Sequence, residues 1–397
     1  MVEFAKTRVI VVGGSIGGLT AALVLSDLGF VVDVVERTPE KLDGRGAGIV
    51  LQPDTVRWFL HHSRISVDEV STPSSRLRYI GANDEIVYEE PASWRFTSWN
   101  TIYNALLSDF GADRYHLGEH FVGLDQDEDG VDLRFVSGRT ERADLVVFAD
   151  GIASTARQRL LPGVAPQYAG YLGWRGTVIE SDVSDKTFDL LNDSLSYALA
   201  PDSHINLYPI PGPDGELEIG KRQLNYVWYR NAPAGAALDE MLTDKRGFHC
   251  PVSVHPGLVQ DRYVDELKEA AQALLPPAIA ELVVRTEKPF IQRVIDIEVP
   301  QMAFGRVALI GDAAFAARPH AAAGTAKAAA DGWALGAALQ AAHGYVVAAL
   351  SSWEPGQLEL GSNLVERAQD MGHRSQVSST WTPGDPSLLF GLYGPGR

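Results

Sequence analysis

Two short stretches of this chain concentrate residues whose types and spacing suit nucleotide chemistry. The first is Val12-Gly13-Gly14-Ser15-Ile16-Gly17-Gly18, a Gly-x-Ser-x-x-Gly run between a β-branched segment and a helix-periodic one. In such a turn Gly13 permits the sharp reversal and Gly18 lets helix and strand pack closely, while the helix N-terminus that follows offers N–H groups to a pyrophosphate. Ser15 stands in place of the usual middle glycine and is small enough to admit the phosphate. Glu36 closes the next predicted strand about 20 residues on, where a carboxylate accepts from ribose hydroxyls. The second stretch is Leu309-Ile310-Gly311-Asp312. It puts a carboxylate just outside a strand C-terminus, the place where α/β sheets hold ligands; an N-cap for the following helix is the other role open to Asp312. No Gly-x-x-x-x-Gly-Lys-[Ser/Thr] loop occurs, so the phosphoryl-transfer reading loses its main support.

The elements that must position these residues are legible from periodicity. Arg8–Val12, the helix-spaced Leu19, Ala22, Leu23 and Ser26, and Val31–Val35 read as strand, helix and strand, a unit that implies a parallel sheet. Gly29 sits where a helix C-cap glycine belongs. Residues 121–150 read as antiparallel strands with turns at Asp129-Gly130 and Ser137-Gly138, feeding an apolar strand at Leu145–Ala149. Strand-like stretches at Tyr171–Glu180, Ser194–Leu199, Ile205–Ile210 and Gln223–Arg230 form a second, mixed sheet. Arg306–Ile310 is a further strand, and an Ala-rich helix follows over 324–342. From about Ser351 a polar helix and then a Pro/Gly-rich tail are expected to wrap the surface.

With 397 residues, 45% of them apolar, the chain has material for two or three domains. Its net charge of −17 repels phosphate backbones and anionic lipid, so neither nucleic acid nor membrane is an expected partner. One cysteine, Cys250, admits no internal disulfide and fits a reducing, cytoplasmic setting. No signal peptide and no run of about 18 apolar residues is visible. Asp125-x-Asp127-x-Asp129-Gly130 imitates a calcium loop, but Val136 occupies the twelfth position and strands flank it, so an acidic hairpin turn is expected. His61-His62 lacks a third ligand at useful spacing and reads as surface.

Two longer segments narrow the nucleotide. Ala149-Asp150-Gly151-Ile152-Ala153-Ser154-Thr155-Ala156-Arg157 follows the Asp-Gly-x-x-Ser-x-x-Arg pattern, and Leu309 to Ala314 the Gly-Asp pattern, of the single-component flavoprotein aromatic hydroxylases typified by para-hydroxybenzoate hydroxylase. With the first turn, in this order and at these separations, they resemble that family over nearly the whole chain. Arg95-Phe96-Thr97-Ser98, Tyr168 to Tyr171 running into Trp174-Arg175-Gly176, and Arg318-Pro319-His320-Ala321-Ala322-Ala323-Gly324 extend the resemblance toward members acting on hydroxylated N-heterocycles.

The resemblance implies an α/β fold: a discontinuous Rossmann-like FAD-binding domain (1–75, 96–165 and 291–350), a mixed-sheet substrate domain (76–95 and 166–290), and a C-terminal helix and tail (351–397). It implies FAD as cofactor, NADH or NADPH as reductant without a separate nicotinamide domain, and O₂, which adds at flavin C4a and is delivered as an electrophilic OH to a phenol or hydroxylated N-heterocycle. A homodimer is compatible with it. The FAD contacts it implies are Gly13, Ser15, Ile16, Gly18, Glu36, Arg37, Arg45, Asp150, Arg157, Gly311, Asp312, Ala322, Ala323 and Gly324. Ala322-Ala323-Gly324 replaces the common Gly-Gln-Gly, Phe315 a common histidine, and Trp99 a common arginine. Substrate contacts are expected from the 319–324 loop and the second sheet: Arg175, Tyr208, Tyr226 and Trp228, with alternation putting Tyr226 and Trp228 on one face and Val227 and Tyr229 on the other. The catalytic candidates are His320 and Pro319, whose carbonyl could polarise the substrate. His320 is the acid/base candidate, since a neutral imidazole beside the ring would take a phenolic proton near pH 7. No Trp-x-Trp-x-Ile-Pro segment favours the flavin halogenases.

Overall fold

The computed structural model describes residues 7–42 and 47–397. Arg45 lies outside them. Among the described residues the strands Ala303–Phe304, Val307–Leu309, Leu145–Phe148, Arg8–Val12, Val31–Glu36 and Tyr115–Leu117 lie side by side in that order. All pairs are parallel except the first. Val9, Ile10 and Val11 are buried, as the continuous β-branched run requires of a strand covered on both faces. One face carries helices Ile16–Asp27 and Gly324–Ala341. These approach so closely that a Cβ on Gly332 would lie 3.0 Å from the Ala21 Cα. The other carries an antiparallel sheet of Phe121–Gln126, Val131–Phe135 and Thr140–Ala143, whose Phe121 ring meets Phe148 at 4.7 Å. Its acidic hairpin is closed by Asp127, which accepts from the Asp129 and Gly130 amides.

A second, nine-stranded mixed sheet runs in the order Ser253–Val254, Phe290–Asp296, Gln167–Ile179, Gln223–Asn231, Ser203–Ile210, Ser194–Ala200, Thr72–Ile80, Ile86–Ser98, Gly48–Val50. Helices Asp261–Leu274 and Pro277–Arg285 cover one face through Leu267, Ile279, Leu282 and Val283. The C-terminal helix starts earlier than its polar pattern suggested, at Val346, and ends at Gln376. The tail is no surface wrap: Trp381, Leu388, Phe390 and Leu392 are buried, because their side chains fill a gap beside Tyr79, Tyr197 and Leu364. No helix of the described residues is long and apolar enough to cross a membrane.

Candidate active site

The C-terminal ends of the parallel strands open onto two adjoining hollows. One, of about 310 Å³, is lined by Gly13, Ser15, Glu36, Arg37, Trp99 and Asp150 among others. The second, of about 440 Å³, runs from Ser15 and Ile16 past Gly311, Asp312 and Ala322–Gly324 to the nine-stranded sheet. Ser15, Trp99, Ala149 and Gly151 border both, so the two form one trench.

The trench has the features of a dinucleotide cradle. Gly13 adopts φ +108°, and a Cβ on Gly18 would stand 1.9 Å from the Gly13 carbonyl oxygen. Ser15 is the N-cap of its helix, yet its side chain makes no capping bond, which leaves the first-turn amides free for a ligand. Glu36 is partly committed: one oxygen accepts from the Gly14 amide at 2.9 Å and the other from the Thr38 amide and hydroxyl at 3.1 and 3.0 Å. Tyr115, which no motif pointed to, donates to the Gly14 carbonyl at 2.8 Å and backs the turn. Trp99 stands where the two hollows join, stacked on Tyr103 at 4.7 Å.

The two later motifs meet beneath the trench. Asp150 accepts from the Ala156 amide at 3.2 Å, while its other carboxylate oxygen is buried with no protein partner; burial pushes this carboxyl up. Arg157 is fully buried and donates to the carbonyls of Ala313 and Ile152. It therefore stitches the two motif loops together from below and does not line the trench, a correction to its expected place among the cofactor contacts. Asp312 lies on the trench floor without a hydrogen-bond donor to its carboxylate among the described residues. Burial raises that carboxyl to about 6, against the opposing charges of Lys327 and Arg157. The N-cap role fails, because Gly311–Ala313 is a 3-10 turn capped by Ile310.

Sequence reasoning missed what holds this turn. Lys327 and Asp331, both buried, pair at 2.7 and 2.8 Å, and Asp331 accepts from the Gly311 amide at 2.8 Å. The signal was present as two opposite charges four residues apart in an otherwise alanine-rich helix.

The sheet face that borders the trench presents Arg175, Asn206, Tyr208, Val227 and Tyr229. Tyr226 and Trp228 do not join them. They sit on the opposite face in the core with Trp174, Leu267 and Ile279, because strand alternation leaves Val227 and Tyr229 toward the trench. Asn225 reaches across the sheet to its edge strand, accepting from the Gly48 amide at 2.9 Å. Arg175 and Arg293 both line the hollow, and each has a buried Nε with no hydrogen-bond partner and no salt bridge among the described residues. Burial raises the phenol of Tyr208 to about 12 and that of Tyr229 higher, with Arg175 opposing both shifts.

The loop after Arg318 closes the opposite wall. Pro319 and the backbone of Ala322–Gly324 face the trench, and the helix Gly324–Ala341 points its N-terminus there with no acidic residue in its first turn. His320 does not face it. Its ring turns the other way from the 3-10 turn Pro319–Ala321, is 1% exposed, and bonds through Nε2 to the Tyr171 hydroxyl at 2.7 Å. Burial, reinforced by His204 and Arg318, holds the imidazole well below its usual pKa. A base beside the ring it cannot be in this geometry.

Residues 168–296 match the FAD binding domain-like family. The chain is 42% identical to 2,6-dihydroxypyridine 3-monooxygenase of Paenarthrobacter nicotinovorans over 97% of its length and 96% of the relative's. It is 29% identical to 6-hydroxynicotinate 3-monooxygenase of Pseudomonas fluorescens, over 97% and 94%. The solved structure of 2,6-dihydroxypyridine-3-hydroxylase from Arthrobacter nicotinovorans superposes with a TM-score of 0.92 at 41% identity, covering 99% of this chain and 98% of that one. Free amides at a tight glycine turn, unpartnered carboxylate oxygens at Asp150 and Asp312, and an uncapped helix N-terminus are what a flavin dinucleotide needs. Given that fit and a likeness running the length of both chains, this protein belongs to the FAD-dependent aromatic-ring monooxygenases, enzymes that use NAD(P)H and O₂ to hydroxylate an electron-rich ring.

Proposed function

We propose that the substrate is a hydroxypyridine or a similar hydroxylated N-heterocycle, bound as its oxyanion between the 319–324 loop and the trench face of the nine-stranded sheet. Arg175 carries this reading. A guanidinium with a buried, unpartnered Nε and no carboxylate to pair with among the described residues is stabilised by a ligand anion, and charge-assisted hydrogen bonds of this kind are worth about 1.5–3 kcal/mol. Tyr208 and Tyr229 beside it stay neutral at physiological pH and so remain donors to the same oxyanion. The relatives named for dihydroxypyridine and hydroxynicotinate chemistry support the ring class.

Bound FAD supplies the reducible ring that takes a hydride from NADH or NADPH and activates O₂. Gly13–Gly18, Glu36, Arg37, Asp150, Gly311 and Asp312 would hold it, with Ala322–Gly324 offering backbone amides. The positive end of the 324–341 helix would favour negative charge on the ligand side of the loop. Val227, Phe290, Val294 and Ile295 give the trench an apolar wall that excludes water. With His320 turned inward, the ring is activated by being bound as an anion. The division into FAD-binding segments 1–75, 96–165 and 291–350 and substrate segments 76–95 and 166–290 belongs to the same proposal, as does a cytoplasmic setting for a chain with one cysteine.

The test is NAD(P)H oxidation by the FAD-loaded protein across hydroxypyridines, phenols and purines, with product mass. Stimulation by hydroxypyridines with gain of one oxygen atom is expected. A response confined to phenols or purines would overturn the substrate class.

A further inference from the structure

The loop that borders the trench is held in an unfavourable conformation from outside. Ala322 adopts φ 51°, ψ 31°, the left-handed region that alanine avoids. Such a conformation persists only where the surroundings over-determine it. Three hydrogen bonds do so here: the Ala322 amide donates to the Pro319 carbonyl at 2.9 Å, the Gln52 side chain to the Ala322 carbonyl at 2.7 Å, and the Gly391 amide to the Ala321 carbonyl at 3.1 Å.

The last of these comes from the tail, about 70 residues away in sequence. The tail segment is itself built to stay in place. Arg367, on the C-terminal helix, donates to the carbonyls of Leu389 and Gly391, and the Gly396 amide donates to the Phe390 carbonyl at 2.8 Å. Gly391 has no room for a side chain, since a Cβ would fall 2.1 Å from the Gly394 carbonyl oxygen. Phe390, 3% exposed, meets Trp94 edge-on at 5.4 Å and lines the trench together with Val50, Tyr208 and Ala322.

We propose that the segment Leu388–Leu392 is a working part of the substrate cleft: the Gly391 amide pins the 319–324 loop, and the Phe390 ring completes the aromatic wall and limits the size of ring admitted. The size limit rests on the aromatic-substrate reading above; the pinning does not.

The FAD-loaded full chain tests both. In Arg367→Met, which frees the tail, the Ala322 amide should exchange its hydrogen about tenfold faster than in wild type. Exchange within twofold of wild type in folded, FAD-bound protein overturns the pin. If Arg367→Met does not fold, Gly391→Ala displaces the same segment and is read the same way. In Phe390→Ala, flavin absorbance titrations with 2,6-dihydroxypyridine and a dihydroxyquinoline should show the ratio of their dissociation constants moving about tenfold toward the bicyclic ligand. A ratio within twofold of wild type overturns the size limit. If neither ligand perturbs the wild-type flavin spectrum, the substrate reading falls and the size limit with it, while the exchange rates still decide the pin.

Discussion

The strand Gln223–Asn231 serves two regions of the molecule that look alike in composition and differ in work. On one face Tyr226 and Trp228 join Trp174 under the helices 261–274 and 277–285; on the other Val227 and Tyr229 join Arg175, Asn206 and Tyr208 over the trench. Both faces are aromatic and both are almost fully buried. The difference is what covers them. The first is closed by side chains of the two helices; the second faces a hollow bounded across from it by the 319–324 loop, into which arginines and neutral donors converge. Aromatic content thus says little about which face binds a ligand, whereas an unpaired arginine says much.

The largest effect that would break or sharpen this contrast is on stability. Trp228→Ala removes a fully buried ring and should cost about 3–5 kcal/mol in denaturant unfolding. It should leave the ligand dissociation constant of the surviving holoenzyme within about threefold. A loss of ligand binding larger than the loss of stability would mean that the core face is also a binding face. On the other side, Arg175→Met should weaken binding of an anionic hydroxypyridine by about 10- to 100-fold, the scale of one charge-assisted hydrogen bond, with little change in unfolding. An unchanged dissociation constant would leave the trench face without its anchor.

Next comes the cofactor end. Asp312→Asn should raise the FAD dissociation constant by about tenfold. The wild-type carboxyl, raised to about 6, is an anion above that pH and protonated below it, so its acceptor role is present above pH 6 and is lost as the pH falls through it. FAD affinity of the wild type should fall between pH 7.5 and 5.5, and that of Asp312→Asn should stay flat; parallel curves would remove Asp312 from the cofactor site.

The smallest effect concerns His320. Held neutral by burial, it takes no proton in the folded protein near pH 6.5, whereas the unfolded chain does. Stability should therefore fall as pH drops below about 6.5, and His320→Gln should lessen that slope while changing the hydroxylation rate by less than about threefold. A rate lower by about 10²-fold, with loss of a limb near pH 6–7, would return His320 to the role of base.

The half of the trench beside the glycine turn was largely readable in advance and the half beside the nine-stranded sheet was not. Gly13 and Gly18 need glycine for reasons local to one turn, and Gly311-Asp312 follows its strand directly, so their places depend on few distant contacts. His320 and Phe390 show the opposite. The imidazole follows Pro319 in a loop that does border the trench, yet its direction is decided by Tyr171, His204 and Trp381, which come from three other elements. The tail was read as surface because Pro and Gly mark turns, but turns can also deliver Leu388, Phe390 and Leu392 into a gap that only the folded sheet creates.

What the amino-acid order alone determined is the class of ligand and the parallel sheet that presents it, because these rest on hydrogen-bond donors and backbone conformations specified within a few residues. Only the tertiary structure decided which face of the second sheet borders the trench, which motif arginine lies below it and which charges stand on its wall, and which side of the 319–324 loop its histidine takes. Those are questions of what packs against each face. A period of two or 3.6 residues groups side chains by face and leaves open which neighbour will cover each one.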